Sequence, residues 1–91
     1  MSVDTRAALK ADREVYANVK ATLQIAVWSL NEVDATLHTA IKLSNQAIVF
    51  EPRTLVEIDE AIRTLGSART ILEQVIGVIT HHPVLTTKME G

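Results

Sequence analysis

The sequence predicts an all-α fold: an antiparallel helical hairpin with a long first helix, assembling into a four-helix bundle or larger homo-oligomer. Three observations carry this. Apolar residues recur at steps of three and four along two long segments, and strand-like alternation is sustained nowhere. No glycine or proline falls between Thr5 and Glu51, and Pro52 separates the two segments. Finally, 47% of the 91 residues are hydrophobic but only 3% are aromatic. The apolar content is therefore aliphatic, and more than so small a domain covers by itself. The whole chain, 1–91, reads as a single helical domain.

The first helix is expected over about 5–49, capped by Asp4 or Thr5. Tyr16, Val19, Leu23, Ala26, Leu30, Val33, Leu37, Ala40, Ser44 and Ala47 follow steps of three and four without a slip. That is a heptad seam of coiled-coil type. The helix must end before Pro52, because the residue preceding a proline disfavours helical backbone. A turn over about 50–53 follows. The second helix is expected over about 54–82. Thr54 and Glu57 have the spacing of a capping box, and Leu55, Ile58, Ile62, Leu65, Leu72, Ile76 and Ile79 form its seam. Arg69 takes the one seam position that is not apolar. Gly66, beside Ser67 and Ala68, reads as a small-residue patch for a close helix approach. Pro83 ends the helix and leaves an irregular tail, 83–91.

A short connection makes the helices antiparallel neighbours. If the turn centres near Pro52, Ile58 lies near Ala47, Leu65 near Ala40, Leu72 near Val33 and Ile79 near Ala26, so seam meets seam. Arg69 then falls near Asp34. At 1.5 Å per residue the helices measure roughly 65 and 42 Å. The second covers the first only back to about Leu23. Leu9, Val15, Tyr16 and Val19 are left over: either the helix breaks near Asp12 and folds differently, or a second protomer covers them, which the unbroken seam favours. Ile25 and Trp28 lie off the seam, with Ala21 beside them, and tryptophan favours interfaces. Leu9, Tyr16, Val19, Leu23, Ile25 and Trp28 are thus the expected oligomer or partner interface.

Little in the chain points to chemistry. There is no cysteine, which removes disulfides and thiolate ligands or nucleophiles. His81 and His82 are adjacent, so on a helix they point about 100° apart and do not address one metal. Metal-binding helices place ligands three or four apart. Ahead of Pro83 these histidines read as the end of a helix, where imidazoles meet unsatisfied carbonyls. Glu57, Asp59 and Glu60 cluster where the helix dipole favours acids, and no Glu-x-x-His pair of the di-iron bundles occurs. No nucleophile elbow, phosphate-binding loop or dinucleotide fingerprint is present. The expectation is a non-enzyme with no catalytic residues, no metal and no cofactor.

Net charge is −2 with both signs mixed, so nucleic acid is a disfavoured partner. No uncharged run is long enough to cross a bilayer, and the N-terminus lacks the apolar centre of a signal peptide. A cytoplasmic location and no membrane association are expected. The leading expectation is an interaction protein that binds itself and another protein, as an adaptor, regulatory or sequestering subunit. The alternative is a binder of a small anionic metabolite or nucleotide at a protomer interface, contacted by Arg13, Lys20 and Arg69. An RNA-binding hairpin dimer ranks below both.

Overall fold

A computed structural model describes residues 2–87, which form an all-α hairpin. Helix α1 runs Val3–Ser44, α2 runs Pro52–Thr80, and a single turn, α3, occupies Pro83–Thr86. The molecule is a rod of 71 × 15 × 14 Å. Its radius of gyration is 20.7 Å, against about 12 Å for a compact chain of this length.

The ends of the helices differ from the sequence expectation in instructive ways. Helix α1 starts earlier, because the Ser2 hydroxyl accepts from the Thr5 amide at 3.1 Å and so satisfies an orphan donor. It also stops five residues sooner than position 49. The Ser44 hydroxyl donates to the Ile41 carbonyl at 2.6 Å. Beyond it the backbone tightens: the Gln46 amide donates to Leu43, and that of Ala47 to Ser44. Such three-residue bonds are a common way for a last turn to unwind. Ala47 and Ile48 continue the apolar pattern but lie in the connection, and Ile48 is fully exposed.

Helix α2 does not begin at Thr54. Pro52 takes its first position, where a missing N–H costs nothing and the fixed φ already suits a helix. The Glu51 carboxylate accepts from the Arg53 amide at 3.3 Å, so Glu51 rather than Thr54 is the cap. Salt bridges of Arg53 with Glu57 (3.5 Å) and Arg63 with Asp59 (2.8 Å) line the exposed side of the first turns. Pairs so exposed contribute little.

The longer connection shifts the pairing register. Arg69 donates to the Asn31 side chain at 2.8 Å, not to Asp34. The pairing therefore sits close to one helical turn from the expected one. The α2 seam is the expected set, all half-buried. On α1 the half-buried residues are Leu9, Tyr16, Leu23, Ala26, Leu30, Leu37 and Ala40, joined by Arg6, Arg13, Lys20, Val27, Asp34 and Ile41. Val19 and Val33, expected in the seam, are exposed. Arg6, Arg13 and Lys20 share the seam because their aliphatic stems can pack along apolar surface.

The segment 83–86, expected to be irregular, is helical and folds back on α1. Residues 88–91, the rest of the expected tail, lie outside the described residues. Gly66 is not a point of close approach within the hairpin: a Cβ there would meet nothing within 4 Å.

Candidate functional site

Apolar packing inside one hairpin is thin. Among the described residues no hydrophobic side chain is buried, and Ser44, 8% exposed, is the one polar residue that is. The accessible surface is 6865 Å². A compact monomer of 10.0 kDa exposes about 5,200 Å². About 1,600 Å² per chain is therefore in excess.

That excess is distributed unevenly around the rod. Take the direction from α1 to α2 as given by the column Leu9, Tyr16, Leu23, Leu30 and Leu37 with its half-buried partners. The two heptad columns on one side of it read Val15, Val19, Thr22, Ala26, Ser29, Val33, Thr36, Ala40 and Leu43. No charge interrupts them. On α2 the corresponding columns read Thr54 and Glu57, then Ala61, Thr64, Ala68, Ile71, Val75 and Val78, uncharged after Glu57. Antiparallel helices are related by a local two-fold normal to their common plane, so equivalent columns fall on the same side of the hairpin. One face, two helices wide, is consequently free of charge between Asp12 of α1 and Glu57 of α2, which close its two ends.

Its polar atoms are already satisfied. The hydroxyls of Thr22, Ser29, Thr36 and Thr64 donate to the carbonyls of Asn18, Ile25, Glu32 and Glu60, at 2.8 to 3.0 Å. Such back-bonding within a helix turns the donor away from the surface. Covering this face therefore leaves no hydroxyl without a partner. A shallow open groove of about 320 Å³ marks one end, lined by Val15, Asn18, Val19, Thr22 and Leu23.

The six residues expected at an interface point in several directions. Leu9, Tyr16 and Leu23 are half-buried in the intrachain seam. Val19 lies on the uncharged face. Ile25 and Trp28, the latter 67% exposed, both lie on the back of α1, each two positions from the seam column and so about 160° from the direction of α2. The side of the hairpin across from the uncharged face carries charge on α2, at Asp59, Arg63 and Glu73.

The histidine pair ends one helix and begins another. His81 is the C-cap of α2. His82 caps α3: its Nδ1 accepts from the Val84 amide at 3.1 Å. The His82 ring also lies 4.7 Å from the Tyr16 ring, tilted by 41°. Arg13 completes the clasp, donating from Nε to the Val84 carbonyl at 3.0 Å and from Nη2 to the Thr87 carbonyl. A turn-long helix does not stand alone, so α3 depends on these contacts. Bonds to a charged donor are worth about 1.5–3 kcal/mol. Arg13→Ala is accordingly expected to speed amide exchange at Thr86 and Thr87 by about tenfold or more, while the middle of α1 is unaffected.

Of the residues expected to contact an anion, Arg13 is engaged with these carbonyls, Arg69 with Asn31, and Lys20 is half-buried on the seam. They are spread along the rod and do not converge on one pocket. Among the described residues no three acidic or histidine side chains cluster as metal ligands, and no helix is long and apolar enough to cross a membrane. No family model, no curated protein and no solved structure matches the chain.

The uncharged face was partly visible in the sequence, since its α1 half contributes Val19, Ala26, Val33 and Ala40 to the expected seam. Of these, Val19 and Val33 are exposed, while Ala26 and Ala40 are half-buried at the edge of the α1–α2 contact. The signal for the face was the second set of steps, from Val15 to Leu43, running beside the first.

Proposed function

We propose that the protein is a non-enzymatic, cytoplasmic, homo-oligomeric interaction protein, whose helical hairpins join into a bundle that serves as an adaptor, regulatory or sequestering subunit. One observation carries the reading: a hairpin with no fully buried hydrophobic side chain and about 1,600 Å² more surface than a compact monomer. A standard protein interface takes about 800 Å² from each partner, so self-association has ample surface to use. Trp28 and Ile25 lie away from the uncharged face and are the candidates for a different protein. Tryptophan is the residue type most often found at the energetic centre of such contacts.

Absolute mass by light scattering, over a hundredfold range of concentration, tests the self-association. A dimer or larger species is expected throughout the micromolar range. A 10.0 kDa particle at every concentration would sink the proposal.

A further inference from the structure

The homo-oligomer reading leaves open which faces meet and in what direction. Resting on that reading, we infer that two hairpins pack through their uncharged faces about a two-fold axis crossing the rod near Ser29, with their loops at opposite ends.

The face itself supplies the first argument. On α1 it runs from Val15 to Leu43, whose midpoint is Ser29. On α2 it runs from Ala61 to Val78, whose midpoint falls between Arg69 and Thr70. Arg69 is hydrogen-bonded to Asn31, so the two midpoints share one level of the rod, within about a helical turn. A patch whose halves share a centre overlays on itself when turned end for end about that centre. This is the self-complementarity that a two-fold interface requires. In that overlay Val15 meets Leu43 of the second copy, and Val19 meets its Ala40. Small residues, Ala26 and Ser29, lie nearest the axis, where the helices approach most closely.

The loop supplies the second. Ile48 is fully exposed and Val49 is 87% exposed. Turned about Ser29, this tip lands at the level of the exposed Ala8 and Ala11 of the other chain. That stretch extends beyond the reach of the partner's own α2. The same arrangement thereby covers two surfaces that a single hairpin leaves in water, the apolar tip and the small-residue overhang. An axis along the rod would instead place both tips side by side, still exposed. It would also leave both overhangs bare.

Cysteine cross-linking tests the direction, helped by a chain that has no cysteine of its own. In one chain Val15 and Leu43 are about 42 Å apart along α1, so a short bismaleimide does not join them internally. The double variant Val15→Cys/Leu43→Cys is expected to give covalent dimers, and each single variant none. Self-linking of the Val15→Cys variant would overturn the inference, because only loops at the same end bring two such residues to one level. A dimeric mass with no cross-linking of the double variant would overturn it as well, leaving self-association standing through another face. A monomeric mass by light scattering would remove both.

Discussion

Ser29→Glu is expected to dissociate the proposed dimer while leaving the hairpin helical. Ser29 is exposed in the single chain, so a glutamate there meets water and costs the hairpin little. In the proposed assembly it lies beside the axis on a face without a cation. Two carboxylates would then be buried near each other, since symmetry doubles every substitution. An uncompensated buried charge costs about 3–5 kcal/mol. Each copy brings one, so the dissociation constant is expected to rise at least a thousandfold. Sedimentation or light scattering reads this directly, with far-UV circular dichroism as the check on helicity. Trp28→Glu is the matched control. It adds the same charge one residue away, on the back of α1 about 100° round the helix, and is expected to leave the mass unchanged. Dissociation by Trp28→Glu with none by Ser29→Glu would place the interface on the wrong face.

Leu30→Ala, the next residue along, should act through a different route. Leu30 is half-buried between α1 and α2, and its loss strikes the hairpin itself. Leucine-to-alanine changes cost 2–5 kcal/mol in full cores. With only half-burial in one chain the lower end applies, about 2 kcal/mol. For a chain of this size that lowers Tm by about 10 °C. Urea unfolding at fixed protein concentration would measure it, with the slope against denaturant unchanged. A Tm within a degree or two of the parent would mean that the α1–α2 contact is not what holds the hairpin. Trp28, Ser29 and Leu30 are three consecutive residues with three different expected outcomes, because successive helical positions differ by about 100°.

The two long helices were legible because their steps of three and four are long and uninterrupted. The α2 seam was legible for the same reason, and it is the expected set from Leu55 to Ile79. The α1 seam was legible in part: Tyr16, Leu23, Ala26, Leu30, Leu37, Ala40 and Ser44 of the expected set are half-buried or buried, while Val19 and Val33 are exposed. Arg6, Arg13, Lys20 and Asp34 join it, and a search for apolar residues passes over charged ones. The end of α1 was hidden by Ala47 and Ile48, which extend the pattern after the Ser44 hydroxyl has begun to close the helix. The His81–His82 pair was read as a terminus, and His81 is one. That His82 would open a further turn depended on Arg13 and Tyr16, some seventy positions away in the chain. No local pattern announces a contact of that kind.

Thin packing within one hairpin also bears on how long a copy of this protein lasts in a cell. A newly made chain whose described apolar side chains all lie at least partly in water opens easily, and open chains are what proteases cut. The proposed association with a second copy would draw chains out of that vulnerable pool by mass action. Abundance and lifetime would then rise together: at low expression most copies would be turned over as single hairpins, and above a threshold set by the dissociation constant they would persist. A protein built in this way carries its own minimum dose.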